Sequence, residues 1–374
     1  MASGLNLLLG ITTFLAGTLS LVNAILTLLY ARRRKNRVIY IFSANWFLQA
    51  IFWFLDGIAH LTYTPLIMAI SFVPHTIGVL CLFIYIELIE KENVSPIKAS
   101  ILVVIELLYL MSAFLPGGMR VDKTPPYGVH IIGLCRIFQI IFLVFYVLFY
   151  FSWSYKTWRK SPSELKQKAT VLLLGSALFS VVTVLMYALG SLEGLKIFNP
   201  LGFVVHGVGA LLTVIVIWQE PKLIYVLRFK AYRIIVLETG SGTALFKHDW
   251  AELRDIDENF FSMMLQAISN VLNELLHKGE VREVYTDQAV LLIQHNLQYP
   301  IASVIIASKS CKSLRYGLKE FNEQFVSKYS SDIEKNYHNV SRFEGASALV
   351  DKVFDFVPEY QHEELPVLNE VKMG

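Results

Sequence analysis

Ionisable side chains interrupt several apolar stretches in the first 218 residues of this 374-residue chain. Such groups are costly in hydrocarbon, and they commonly mark ligand sites or ion pathways. Asp56 and His60 are four residues apart, so a helix presents both on one face, with Trp53 one turn earlier. The candidate pocket residues are Trp53, Asp56, His60, His75, Arg136 and His206. They offer a carboxylate, a guanidinium and three imidazoles, which can hydrogen-bond a polar ligand.

Two interpretations of this set stay open. In the first, the residues line an outward-facing polar pocket with an Asp56–Arg136 pair and bind an unknown extracytoplasmic ligand. In the second, Asp56 and Arg136 simply neutralise each other between packed helices. Glu106 stands alone near the middle of its apolar stretch, where a buried, protonated carboxyl is expected. No cofactor or metal site is predicted, because the three cysteines have no metal-ligand spacing.

The elements that carry these residues are predicted transmembrane helices. A helix needs about 20 apolar residues to cross the hydrocarbon core. Seven stretches qualify, at about 5–30, 38–60, 66–88, 98–115, 129–152, 169–190 and 198–218. The first stretch is too long for a signal peptide and has no basic segment before it, so it is expected to be retained. Residues 1–218 are therefore predicted to form an all-α membrane bundle of seven helices.

The basic residues predict the orientation of the bundle, because Lys and Arg are held on the cytoplasmic side. The connections after spans 1, 3 and 5 contain twelve such residues: Arg32, Arg33, Arg34, Lys35, Arg37, Lys91, Lys98, Lys156, Arg159, Lys160, Lys166 and Lys168. The connections on the other side contain three: Arg120, Lys123 and Lys196. The N-terminus is therefore expected outside and everything after span 7 in the cytoplasm. By depth, the candidate pocket residues lie in the outer half.

The seven-helix count alone does not identify a function. Span 7 contains no lysine, which excludes a retinal Schiff base, and no Asp-Arg-Tyr triplet closes span 3. The spans also show no internal repeat of the kind that many transporters carry. The layout and the basic first connection resemble the seven-helix sensory modules that precede signalling domains in microbial receptors.

The remainder of the chain reads as a separate acidic domain. Residues 1–230 contain 19 Lys and Arg against 9 Asp and Glu, whereas residues 231–374 contain 14 against 21. A surplus of acidic groups repels phosphate backbones, so nucleic acid is not an expected partner. Residues 219–230 are basic and aromatic, and we interpret them as a juxtamembrane linker at the lipid headgroups.

The glycine-containing turn at 239–243, TGSGT, lies between two strand patterns, 233–238 and 244–250. A phosphate-binding P-loop needs a Gly-Lys-Ser/Thr end that leads into a helix, and neither is present here. We therefore predict a β-hairpin. Further along, the pattern predicts a helix over 257–278, strands at 281–287, 289–296 and 301–308, and helices at 312–330 and 344–357.

The resulting order β-β-α-β-β-β-α-α predicts an α+β domain, an antiparallel five-stranded sheet flanked by helices, over 231–358, with a flexible tail at 359–374. With the stretches RIIVLETGSGTALFKH, FFSMMLQAISNVLNEL and LRYGLKEFNEQFVSKYSSDI, this domain resembles the longin domain of the profilin-like and roadblock group. The aromatic series Phe321, Phe325 and Tyr329 fits the same resemblance. It implies a non-catalytic platform for small GTPases or other cytoplasmic proteins, and it makes a homodimer an open expectation.

No enzymatic activity is expected from the C-terminal domain. His248 and Asp249 are adjacent on a predicted strand and so point to opposite faces, while Cys311 stands alone. The sequence therefore favours a membrane receptor-like or scaffold protein whose longin-like domain binds a partner, expected to be a small GTPase. The alternative is a membrane transporter with a regulatory cytoplasmic domain, for which Asp56, Glu106 and Arg136 are the support.

Overall fold

The computed structural model of the chain describes residues 2–34, 37–122, 128–190, 192, 195–239, 243–251, 282–286, 289–296, 298–335 and 340–360. These residues belong to two compact units, and the boundary along the chain falls between Ile224 and Tyr225. The first unit is a helical bundle and the second contains the larger β-sheet. The predicted combination of a helical bundle with an antiparallel sheet domain is confirmed at this level.

Within the described residues, seven helical segments are long and apolar enough to cross a membrane, by length and composition. The chain is therefore an integral membrane protein, since a helix satisfies its backbone hydrogen bonds internally in lipid. These seven segments contain eight α-helices, because α6 and α7 belong to the same segment. The helices are α1 (Ala2–Arg34), α2 (Arg37–Thr62), α3 (Pro65–Lys91), α4 (Pro96–Phe114), α5 (Gly133–Lys160), α6 (Lys166–Ala177), α7 (Thr183–Gly190) and α8 (Phe198–Gln219). A short helix, α9 (Lys222–Tyr225), follows them.

The sixth segment is not a uniform α-helix. Between α6 and α7 the backbone widens into a π-helix over Leu178–Val182. The hydroxyl of Thr183 donates to the main-chain oxygen of Leu178 at 2.8 Å, five residues back. Such single π-turns inside α-helices are frequent at functional sites, because they change which side chains face a neighbour.

The sequence pattern predicts that the fifth span begins near residue 129. This prediction was wrong, because α5 begins at Gly133. Residues 128–131 form a strand, β2 (Gly128–Ile131), which pairs antiparallel with β1 (Met119–Asp122). Val129 and Ile131 are β-branched and suit an extended backbone. Gly133, at φ 57°, then adopts the left-handed conformation that glycine tolerates and turns the chain into α5.

Close backbone contact joins the sixth and seventh spans. A Cβ placed on Gly209 of α8 would lie 2.4 Å from the main-chain nitrogen of Phe179 and 2.7 Å from the oxygen of Gly175. Small residues permit this approach, and in a membrane close packing replaces the hydrophobic driving force between helices. The contact holds α8 against the π-helical segment.

The second unit contains five antiparallel strands in the order β4-β3-β7-β6-β5. They are β3 (Ala231–Glu238), β4 (Ala244–Asp249), β5 (Glu283–Tyr285), β6 (Val290–His295) and β7 (Ile301–Ala307). β3 and β4 pair with Val236 opposite Phe246, which confirms the predicted hairpin, although its tip at 240–242 lies outside the described residues. The predicted helix over 257–278 also lies outside them.

Both faces of this sheet are buried. One face carries the apolar cluster of Ile235, Leu237, Leu291, Val304 and Ile306. The other packs against α10 (Lys312–Lys335), where the rings of Phe321 and Phe325 lie 6.2 and 6.4 Å from Phe246. A 3₁₀ turn, Val340–Ala346, leads into the last helix, α11 (Ser347–Val353), which is shorter than predicted.

Candidate functional site

A cavity of about 500 Å³ opens into the helical bundle, at the end that contains the start of α1 and the connections α2–α3, α4–α5 and α7–α8. All six predicted pocket residues line it: Trp53, Asp56, His60, His75, Arg136 and His206. They come from α2, α3, α5 and α8, so the fold brings together residues that are up to 153 positions apart. If the predicted orientation holds, this is the outer half of the bundle.

Helix α2 supplies a polar stripe to the cavity. Trp53, Asp56 and His60 follow one helix face, and the Nε2 atom of His60 lies 3.5 Å from the Oδ2 atom of Asp56. Asp56 is 6% exposed. A buried carboxylate needs a partner, and this imidazole provides one. The predicted sharing of a face by Asp56 and His60 is therefore present in the structure.

Gln49, one turn before Trp53, orients His75. The amide nitrogen of Gln49 donates to the main-chain oxygen of His75 at 3.4 Å, while its Oε1 atom lies 2.9 Å from Nδ1 of His75. Because Oε1 can accept but not donate, a neutral His75 carries its proton on Nδ1 and leaves Nε2 as an acceptor. The imidazole also stacks on Phe52, with ring centroids 4.3 Å apart, so its position is fixed from two directions.

His206 lies at the π-helical segment. Its ring is 4.4 Å from that of Phe179 and 5.1 Å from that of Trp53. In the described part of the chain, Nε2 of His206, Nε1 of Trp53 and Nδ1 of His60 are buried without a hydrogen-bond partner. Buried polar atoms are nearly always satisfied by protein, water or ligand. Other buried polar atoms of the described bundle, such as those of Asn23 and Asn45, also have no partner, so these three nitrogens do not by themselves distinguish the cavity.

The expected Asp56–Arg136 pair is not formed. Both residues line the cavity, but the ion pair that Asp56 makes is with His60, and the described residues place no carboxylate within 4.0 Å of Arg136. Asp56 is six residues from the end of α2, whereas Arg136 is three residues from the start of α5. The partner of Asp56 is His60, one turn away on the same helix.

Several lining residues were not predicted from the sequence: Gln49 contacts the site through His75, and Arg120, His130, Gln139, Thr183, Tyr187, Lys196 and Asn199 line the cavity. One signal could have found Gln49. Positions 49, 53, 56 and 60 follow the i, i+4, i+7, i+11 spacing of a single helix face. Glu106 does not belong to the described lining of the cavity. It is 6% exposed on α4, and its Oε1 atom has no partner among the described residues.

The sheet unit has a second concavity of about 600 Å³ beside β5, β6 and α10. Glu283 on its wall accepts hydrogen bonds from Arg315 Nη1 at 2.8 Å and from the Tyr285 hydroxyl at 2.5 Å. Burial opposes ionisation of Glu283, but these hydrogen bonds outweigh it and hold the pKa of this carboxyl below its usual range. The arrangement is an ion-pair network at a sheet edge.

The residues considered for catalysis do not converge. Asp249 hydrogen-bonds Arg233, with Nη2 and Oδ2 3.1 Å apart, while His295 lies on β6 beside the second concavity. The buried thiol of Cys311 accepts a hydrogen bond from the main-chain nitrogen of Leu314 at 3.4 Å, as a helix-capping group does. Over the described residues, no group of three or more His, Cys, Asp or Glu side chains is arranged to hold a metal.

No protein-family model, curated protein or solved structure matches this chain. Its function therefore has to follow from the chemistry of the site.

Proposed function

We propose that this protein is a receptor-like integral membrane protein. A small ligand binds in the cavity of the bundle, and the C-terminal domain binds a cytoplasmic protein, expected to be a small GTPase. The observation that carries the proposal is the cavity itself, which brings together Asp56, Arg136 and three histidines from four helices of the bundle. Ionisable groups are costly in membrane spans and commonly mark ligand sites or ion pathways.

The dimensions and walls of the cavity support ligand binding. Its volume of about 500 Å³ lies within the 300–1,000 Å³ range of small-molecule sites. The walls are largely aromatic, with Phe52, Phe142 and Phe203 among the lining residues, and a few polar groups converge between them. Apolar walls supply affinity, while fixed polar groups such as the oriented imidazole of His75 supply specificity.

A longin-like C-terminal domain is part of the proposal. Its support is the element order: a hairpin, then three antiparallel strands, then α10 and α11. Along α10, Phe321, Phe325 and Tyr329 form a continuous ring series with centroid distances of 5.8 and 5.0 Å, as the resemblance expects. A platform of this kind binds proteins through its surface.

The transporter alternative receives less support from the geometry. The described lining residues all belong to one half of the bundle, and Glu106 is not among them. A binding cavity open to one end suits a receptor or a scaffold with a bound ligand. Substrate uptake or proton flux in proteoliposomes containing the full chain would favour the transporter over the receptor.

The GTPase proposal is tested with the full chain in lipid nanodiscs. The protein is immobilised and exposed to the small GTPases of its source organism, each loaded with GDP or with a non-hydrolysable GTP analogue. We expect one of them to bind in a nucleotide-dependent manner. A chain that ends at residue 230 is the matched control and should bind none. If the full chain binds no GTPase, or binds each one equally well with GDP and with the GTP analogue, the GTPase is removed from the proposal.

A further inference from the structure

Cations outnumber carboxylates among the described residues that line the cavity. Asp56 is the one carboxylate among them, and it lies against His60. The lining cations are Arg136, Lys196 and Arg120, which has an interaction of its own, all near the end of the bundle where the cavity opens. A concave, low-dielectric site lined by one sign of charge attracts ligands of the opposite sign. The mouth of this cavity therefore favours an anion.

One helix N-terminus reinforces this preference. Arg136 is in the first turn of α5, and the residue that precedes this helix, Ile132, also lines the cavity. The first N–H groups of a helix have no intrahelical partner, and the helix dipole places positive charge there. The N-terminus of α5 is thus paired with a cation on the same cavity, an arrangement that holds carboxylate or phosphate groups. At the start of α8 the main-chain N–H groups already donate to preceding carbonyls, so the contribution there is the side chain of Lys196.

Deeper in the cavity the surroundings change from charged to aromatic. Phe52, Phe142 and Phe203 line this part, together with Trp53 and His206, which are 4% and 7% exposed. A ligand that fills the cavity is accordingly charged at one end and apolar along its body.

We propose that the cavity binds a monoanionic organic amphiphile. Its carboxylate or equivalent group lies between Arg136, Lys196 and the first turn of α5, and its apolar body lies against the aromatic walls toward Trp53 and His206. This inference rests on the proposed ligand-binding function and names the class of ligand. The same chemistry is found in fatty acids that enter from the bilayer and in aromatic acids that enter from water.

Binding of labelled probes to the full chain in phosphatidylcholine nanodiscs tests the class. Decanoate represents the bilayer source and 3-phenylpropanoate the aqueous source, with decanol, 3-phenylpropanol and decylamine as neutral and cationic counterparts. We expect at least one carboxylate to bind saturably and at least about tenfold more tightly than its alcohol, as one charge-assisted hydrogen bond would give. The source is identified by which of the two carboxylates binds.

Arg136→Gln and Arg159→Gln form the matched pair of variants, since both arginines are on α5 and Arg159 does not belong to the described lining. Arg136→Gln should weaken carboxylate binding about tenfold and leave alcohol binding unchanged, which also shows that the variant is folded. Arg136→Lys should restore part of the affinity, and Arg159→Gln should bind as wild type.

Three results would overturn the proposal: alcohols that bind as tightly as their carboxylates, a carboxylate affinity unaffected by Arg136→Gln, or no saturable binding of any probe. Saturable binding of the alcohols alone leaves a ligand cavity with a different specificity. The nucleotide-dependent GTPase assay is independent of these probes, so failure of the ligand class and failure of the proposed function are separately observed.

Discussion

At the scale of a residue, Asp56 shows that spacing along one helix, rather than charge alone, selects an ion-pair partner. Sequence reasoning matched it with Arg136 because both are ionisable groups in apolar spans. In the structure the nearer partner is His60, four residues along the same helix. Local spacing on one helix is fixed by the 3.6-residue repeat, whereas the relative height of two helices depends on where each of them begins. Asp56 therefore does not neutralise the guanidinium of Arg136.

A double-mutant cycle distinguishes the two pairings. Asp56→Asn and Arg136→Gln should have additive effects on the free energy of unfolding, with a coupling energy below about 0.5 kcal/mol, as separated sites do. Asp56→Asn and His60→Gln should show a coupling of about 0.5–2 kcal/mol, because these side chains are in contact. Thermal unfolding of the four proteins of each cycle in detergent provides the values. A larger coupling for Asp56 with Arg136 than with His60 would restore the original pairing.

Glu283 predicts a pH-dependent contribution to the stability of the sheet unit. Its folded-state pKa is lowered, so the stabilisation is present above the ordinary pKa of a glutamate and is lost as the pH falls through the lowered value. Glu283→Gln should therefore destabilise β5 and β6 at pH 7 and have a smaller effect at pH 3. The effect at pH 7 should stay below about 1 kcal/mol, because the side chain of Arg315 is 46% exposed.

Hydrogen exchange measured by mass spectrometry, corrected for the intrinsic pH dependence, reports the opening of these strands. Glu323→Gln is the control, since the pair of Glu323 with Lys319 is 3.9 Å long and both side chains are 64% exposed. It should leave exchange unchanged at either pH. An effect of Glu283→Gln that is equal at pH 7 and pH 3 would show that the carboxylate charge does not matter.

At the scale of the elements, the sequence predicts what depends on local pattern. The apolar spans and the five strands follow from the length of apolar runs and from β-branched residues, and those signals are contained within each segment. The β1–β2 hairpin was missed because Val129 and Ile131 continue the apolar run of α5 without a break. Nothing in the sequence of Leu178–Val182 distinguishes a π-turn from an α-turn either, since the difference arises from packing against α8.

The candidate site was predictable in part for a similar reason. Asp56, Arg136 and the histidines are conspicuous because ionisable groups are rare in membrane spans. Thr183 and Asn199 are not, because hydroxyl and amide side chains commonly hydrogen-bond within or between transmembrane helices. Their positions on the cavity depend on helix packing and on the π-turn, which no local pattern encodes.

The contact between α8 and the sixth span predicts a sensitive glycine. Gly209→Ala introduces a Cβ 2.4 Å from the main-chain nitrogen of Phe179, which cannot move aside as a side chain can. We expect a loss of about 1–3 kcal/mol in stability, as for overpacked cores. Gly202→Ala, on the same helix, meets the Cβ of Met186 at 3.3 Å and should cost less. Thermal unfolding in detergent ranks the two, and equal stabilities would contradict the close contact.

At the scale of the whole molecule, the distribution of basic residues predicts the side of the membrane to which the cavity opens and the side on which the C-terminal domain lies. The basic connections after spans 1, 3 and 5 predict that the connection between α5 and α6 faces the cytoplasm and the connection between α2 and α3 faces outward. The cavity would then open outward, while the C-terminal domain would meet cytoplasmic partners. Both halves of the proposed function depend on this orientation.

Cysteine labelling of intact cells measures the orientation. In a chain whose three native cysteines are replaced by serine, Thr64→Cys should react with a membrane-impermeant maleimide, whereas Ser163→Cys should react after permeabilisation. Labelling of both positions in permeabilised cells is the control for accessibility. Reaction of Ser163→Cys in intact cells, with Thr64→Cys protected, would place the cavity on the cytoplasmic side and reverse the proposed direction of signalling.

The π-helical turn gives the sixth span a one-residue insertion relative to a regular α-helix. Thr183, Val184 and Tyr187 beyond it all line the cavity. A wider turn accommodates the extra residue locally, so the helix on either side keeps its facing. Removing one residue from Leu178–Val182 should therefore return the backbone to α geometry and leave Thr183–Gly190 facing the cavity. Removing one residue from the regular helix of α7 should instead rotate the residues that follow by about 100° around the helix axis.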